Sequence, residues 1–184
     1  MRNIPRPVAL RIIYGNAVLA VLVVSIAGAL HLRRVHRFDA IIVSIARDRG
    51  LDPRFVSAVI WKESRYDAGC VGTKGEIGLM QVTEGAATEW SRAERIRPFG
   101  MHDLFNPATN VAAGTWYLAR AVRRWGHASD PLPLALAEYN AGHANAVRWA
   151  AAGGTNSREF IRNITYPTTK RYVRDILRRY RGVR

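Results

Sequence analysis

Between residues 12 and 30 the chain reads IIYGNAVLAVLVVSIAGAL, with no charged side chain to interrupt it. A helix apolar on every side has no face to offer water, so this run must be withdrawn from solvent in lipid or in a protein core. Coiled as an α-helix it extends about 28 Å, close to the roughly 30 Å hydrocarbon thickness of a bilayer. Arg2, Arg6 and Arg11 precede it, and Arg33, Arg34 and Arg37 follow. Two membrane readings fit: a retained single-pass anchor, or an export signal cut near the small-residue triplet Ala27, Gly28, Ala29. The run exceeds the roughly 7 to 15 apolar residues of an export signal, which favours the anchor. The arginines on its two sides nearly balance, so they do not orient it by themselves. The sequence therefore divides into an N-terminal hydrophobic helix within residues 1–37 and a globular domain over 38–184, with the membrane as an expected partner.

The globular part is punctuated for short helices. FDAIIVSIARDRG has apolar residues at helical spacing and ends at Gly50, after which Asp52 can cap and Pro53 can open the next helix. Glycines at 69, 72, 75 and 78 predict loops or a small hairpin over residues 67–83. NPATNVAAGTWYLARAVRRWG and PLPLALAEYNAGHANAVRWA read as two further helical blocks, and TTKRYVRDILRRYR as the last. No sustained strand alternation, repeat or low-complexity tract appears. The predicted fold class is mainly α, a single helical domain with one small loop or hairpin region, and a hydrophobic content of 48% can fill its core.

Within the helix VSAVIWKES one residue conflicts with its surroundings. At 100° per residue Val56, Val59 and Ile60 form one apolar arc, and Glu63 projects between them. A carboxylate there is either paired structurally with one of the arginines, released at a frayed helix end, or kept from water because its chemistry requires it.

Composition narrows the chemistry. The formal charge of +14, from 28 Lys and Arg against 14 Asp and Glu, favours an anionic surface or polymer as neighbour. Nucleic acid is disfavoured, since the arginines are scattered and fall in no recognised binding motif. Cys70 is the only cysteine, which excludes an internal disulfide and a thiolate metal cluster. No HExxH, GxSxG or phosphate-binding loop occurs, so no metal and no cofactor is expected.

Three motifs stand in order along the chain: Glu63-Ser64 at a helix end, Gly78-Leu79-Met80-Gln81 in the context GEIGLMQVT, and Ala137 to Gly142, AEYNAG. LFNPATNVAAGTWYL lies between them and YPTTKRYVRDIL closes the series. Together they resemble the lytic transglycosylase domain of the soluble type, within the lysozyme-like superfamily, over roughly residues 41–177. The resemblance implies an α+β lysozyme-like fold and a periplasmic enzyme acting on peptidoglycan glycan strands at the N-acetylmuramic acid to N-acetylglucosamine bond. It assigns catalysis to Glu63 and glycan binding or orientation of the acid to Ser64, Met80, Gln81, Tyr139 and Asn140. Cell-wall or secretion machinery becomes a candidate partner.

Chemistry agrees with that assignment. A glycosidase acid must hold its proton near neutral pH, whereas a free Glu titrates near roughly 4.3, and an apolar setting closes the gap. Most glycosidases add a second carboxylate. Asp67, Glu76, Glu84 and Glu138 are available, but none stands at a family catalytic position. The family's alternative is a single Glu that acts as acid and then as base on the sugar's own C6 hydroxyl, giving a 1,6-anhydro end. The sequence departs from the family at Glu84, where Pro is common, and at Thr168, where Glu is common. A hydrolytic muramidase of the same fold and a non-catalytic wall-binding or secretion-assembly module remain as alternatives.

Overall fold

The structure is a computed structural model that describes residues 14, 16, 18–29, 36–153 and 156–182. The chain forms two compact units, Met1–Asp39 and Ala40–Arg184. In the first, residues 18–29 are helical and the large apolar side chains between Val18 and Ile26 are more than half exposed. Residues 12, 13, 15, 17 and 30 of the expected membrane-spanning run lie outside the described residues. Among the described residues no helix is long and apolar enough to cross a membrane.

Helices make up the globular part: α1 (Asp39–Asp48), α2 (Pro53–Ser64), α3 (Glu84–Ala93), a 3-10 turn (Met101–Phe105), α4 (Pro107–Arg124), α5 (Leu132–Ala141), α6 (His143–Gly153), α7 (Ser157–Asn163) and α8 (Pro167–Arg181). The punctuation acts as the sequence suggests. Gly50 takes φ 70° after α1, and Asp52 caps α2 by accepting from the Arg54 backbone N–H at 2.8 Å. Asn106 caps α4 through the N–H groups of Ala108 and Thr109, with Pro107 at its first position. The block PLPLALAEYNAGHANAVRWA is two helices, because Gly142 at φ 85° breaks the chain between α5 and α6. Residues 67–83 are turns, and among the described residues pairing goes no further than two isolated antiparallel bridges, Val71 with Ile77 and Ile77 with Val82. This is the expected small hairpin region in a mainly helical domain.

Helix α5 is the centre of the domain. Leu134, Ala135, Leu136 and Ala137 are apolar round the whole helix and fully buried, because α4, α6 and α8 pack against it. Helix α2 lies against α8. The buried faces of α2, α5 and α8 thus converge, and that convergence positions the site.

Candidate active site

Helix α2 stops one residue after the glutamate. Arg65 and Tyr66 both take positive φ, 55° and 62°, a left-handed geometry that costs a non-glycine residue about 1 kcal/mol or more and that no helix can continue. The Arg65 guanidinium stacks 3.4 Å from the Trp61 ring centroid, and its backbone N–H returns to the Trp61 carbonyl. Glu63 therefore occupies the last turn, on the side that carries Val56, Val59 and Ile60, all three fully buried. The frayed-end reading is thereby excluded, and among the described residues no arginine pairs with Glu63. The hydrogen-bond partner of Glu63 is a phenol: Tyr172 of α8 donates to its Oε1 at 2.6 Å.

Electrostatics follow from that setting. Burial disfavours the charged form and pushes the Glu63 carboxyl up to about 7, against the lowering effect of the Tyr172 hydroxyl. The charge of Glu76 adds to the rise and that of Lys62 opposes it. Lys62 is itself held by Asp175 at 2.6 Å. Burial also raises the phenols of Tyr172 and Tyr139 well above their ordinary value, so both are neutral donors.

The Gly-Leu-Met-Gln loop is pinned from several sides. The Ser64 hydroxyl donates to the Leu79 carbonyl at 2.9 Å, and the Tyr139 hydroxyl donates to that of Met80 at 2.8 Å. Asn110, fully buried on α4, accepts from the Met80 N–H and donates to the carbonyls of Ile77 and Leu104. A β-carbon on Gly78 would strike the Leu104 carbonyl at 2.7 Å, and one on Gly114 would strike the Met80 sulfur at 2.6 Å. These close approaches require glycine. Gln81 turns at φ 48°, and its amide nitrogen donates to the carbonyls of Cys70 and Gly78.

A cavity of about 320 Å³ opens above this framework, and Glu63, Gln81, Tyr139 and Asn140 all line it. An adjoining cavity of about 260 Å³ shares Gln81, Tyr139 and Asn140 and continues toward Tyr117 and Gly114. Ser64 and Met80 lie behind the surface, both buried, and fix the loop from below. Asn140 is oriented from α8, where the buried Thr169 hydroxyl donates to its Oδ1 at 2.8 Å and leaves the amide nitrogen for the cleft. Glu84 opens α3 behind Thr83, whose side chain caps that helix.

Sequence reasoning missed two residues of this site and left a third, Glu76, unsorted. Tyr172 is separated from Glu63 by more than a hundred positions; its one signal is a hydroxyl on the buried stripe of an amphipathic helix, which must find a partner. Asn110 gave a similar signal, a polar side chain amid the apolar residues of α4. Glu76 was one carboxylate among several, and only the fold shows that it lines the same cavity as Glu63.

Comparison with known proteins agrees with this architecture. A family model for the transglycosylase SLT domain matches residues 41–161. The chain is 35% identical over 115 residues to a membrane-bound lytic murein transglycosylase F of Desulfosudis oleivorans, an alignment covering 61% of this chain and 23% of that protein. It is 32% identical to an X polypeptide of Escherichia coli over 71% of this chain and 80% of the relative. The solved structure of an inactive mutant of the lytic transglycosylase Slt from Pseudomonas aeruginosa superposes with a TM-score of 0.72 at 27% identity, covering 79% of this chain and 23% of that one. The chain thus spans about a quarter of the length of these transglycosylase relatives. With the buried glutamate, the pinned loop and the Tyr-Asn pair gathered on one lysozyme-like helical scaffold, the chain belongs to the transglycosylase SLT-domain family.

Proposed function

We propose that the chain is a peptidoglycan lytic transglycosylase that cleaves the β-1,4 bond between N-acetylmuramic acid and N-acetylglucosamine and releases 1,6-anhydromuramoyl ends. The observation that carries this reading is Glu63, a desolvated carboxyl facing a cleft and hydrogen-bonded to a neutral phenol. Such a group holds its proton near neutral pH and can give it to the leaving oxygen as the C1–O bond breaks. The N-acetyl group of the muramoyl unit stabilises the developing cation. The Glu63 carboxylate then takes the proton of the C6 hydroxyl, whose oxygen bonds to C1, and Glu63 is protonated again. Tyr172 stabilises the carboxylate between the two steps. Gln81, Tyr139 and Asn140 hold the glycan, while Ser64 and Met80 set the loop that carries Gln81.

Residues 1–37 would hold the enzyme at the cytoplasmic membrane with the catalytic part on the outer side, where glycan strands are found; the membrane-bound relative supports this placement. A reporter that is active only in cytoplasm, fused after Arg184, should be silent, and its activity would contradict the orientation. The presence of Glu76 in the cavity gives one specific ground for a second reading, a muramidase in which that carboxylate activates water. Digestion of purified peptidoglycan in ¹⁸O-labelled water separates the two. Unlabelled anhydro ends, lighter by one water, are expected; reducing ends carrying ¹⁸O would replace the transglycosylase with the muramidase. A non-catalytic wall-binding module would release neither product.

A further inference from the structure

Glu76 is a charged group of the cleft with no step in the reaction proposed above. Its Oε2 accepts from the Lys74 backbone N–H at 3.0 Å, and no cationic side chain lies within ion-pair distance of it among the described residues. Beside it is the Gln81 amide. Both bonds donated by the Gln81 nitrogen go to backbone carbonyls, at 3.2 Å to Cys70 and 3.1 Å to Gly78, which fixes the amide orientation and leaves its Oε1 as the free end. Gly72 leaves room for both oxygens: a β-carbon there would overlap Glu76 Oε2 and stand 2.7 Å from Gln81 Oε1.

One side of the cavity is therefore a pair of acceptors over a glycine, one of them charged. A ligand group that satisfies it needs several hydrogens and a positive charge. A sugar hydroxyl supplies a donor but leaves the carboxylate uncompensated once water is expelled, whereas an ammonium supplies three donors and the counter-charge. The local charge points the same way. Basic residues outnumber acidic ones two to one in the chain, yet no lysine or arginine lines the cavity to offset the charge of Glu76.

We propose that Glu76, together with the side-chain oxygen of Gln81, is a specificity-determining site for a primary ammonium group on the glycan substrate. A glucosamine unit without its N-acetyl group carries such a group, and so does a stem peptide with a free amine. The proposal rests on the glycan-cleft reading above, but it concerns binding and is tested without turnover. The full-length Glu63→Gln protein is titrated by calorimetry with three probes: fully N-acetylated strands free of peptide, the same strands partly N-deacetylated, and acetylated strands bearing peptides with free amines. One ammonium-bearing probe is expected to bind about tenfold tighter than the acetylated strands, and which one it is identifies the source. Adding Glu76→Gln brings that ratio close to one, Glu76→Asp retains part of it, and raising the salt concentration weakens it. Thermal unfolding checks that both double variants are folded. Equal binding of all three probes, or a preference that survives Glu76→Gln, overturns the ammonium site and leaves the glycan cleft standing. Failure of every probe to bind overturns both.

Discussion

Glu138 in the middle of α5 and Glu63 in the last turn of α2 are both withdrawn from water, and their surroundings differ in kind. Glu138 accepts from the Trp125 indole N–H at 2.8 Å, forms an ion pair with Arg124, and lies 3.0 Å from the His143 ring. Each of the two borders a cavity, but the side-chain partner of Glu63 is a neutral phenol. Paired burial lets a carboxylate stay charged and ties α4, α5 and α6 together; burial beside a neutral donor disfavours the charge and leaves a proton available for transfer. The two residues show that neither burial nor a bordering cavity alone distinguishes the candidate acid. What distinguishes Glu63 is burial with a neutral donor and, among the described residues, no ion-pair partner.

Exchanging each carboxylate for a neutral group should therefore give opposite profiles. Glu63→Gln is expected to lose at least 10²- to 10⁴-fold in cleavage rate, since the amide keeps the shape but has no acidic proton. Its stability should not fall. The folded-state pKa of Glu63, about 7, lies above the unfolded value near 4.5, so its stabilising contribution is complete below pH 4.5 and lost as pH rises through 7. That loss is on the order of 3 kcal/mol. Denaturant titrations at pH 5 and pH 8 should show this pH dependence in the parent and not in Glu63→Gln. A variant that is inactive because it is unfolded would collapse the comparison.

Glu138→Ala is expected to show the reverse, a loss of about 3 kcal/mol in unfolding free energy, because the indole N–H and the guanidinium lose their acceptor. The value falls at the low end for a broken buried pair, since the Arg124 side chain is 36% exposed and can rehydrate. Equilibrium unfolding measures it, and a variant as stable as the parent would deny the paired role.

Tyr172→Phe probes the hydrogen bond that Tyr172 donates to Glu63. The rate should fall roughly tenfold, the worth of a hydrogen bond to a charged group. Because the phenol lowers the Glu63 pKa, its removal should move the alkaline limb of the pH–rate profile upward. An unmoved limb would mean that Tyr172 is only a packing residue.

The smallest effect is expected at Thr169. Thr169→Val frees the Asn140 amide to rotate and should raise KM about threefold with little change in kcat, as the loss of one neutral hydrogen bond implies. Thr169→Ser keeps the hydroxyl and should restore the parent value. Equal KM values in the two variants would show that the hydroxyl does not orient Asn140.

The comparison also explains what the sequence could and could not reveal. The spacing of Val56, Val59 and Ile60 around Glu63 is local, so its burial was legible from one helix. The caps at Asp52 and Asn106 and the turns at residues 67–83 are local for the same reason. That the side-chain partner of Glu63 is a phenol and not a guanidinium is not local, since it depends on α8 bringing Tyr172 rather than one of its many arginines to that point. The break at Gly142 was visible only as a glycine inside an otherwise helical pattern, and it separates the Tyr139-Asn140 pair from α6. Asn110 and Glu76 likewise gain meaning from partners 30 positions away or from a shared cavity.

The central claim is that Glu63 is kept protonated by its surroundings. Carboxyl ¹³C NMR of the full-length protein labelled at glutamate reads it directly, with Glu63→Gln identifying the resonance. The Glu63 signal should titrate with a midpoint near pH 7. A midpoint in the ordinary range, near 4.3, would contradict the claim and leave Glu63 without the proton its proposed chemistry requires.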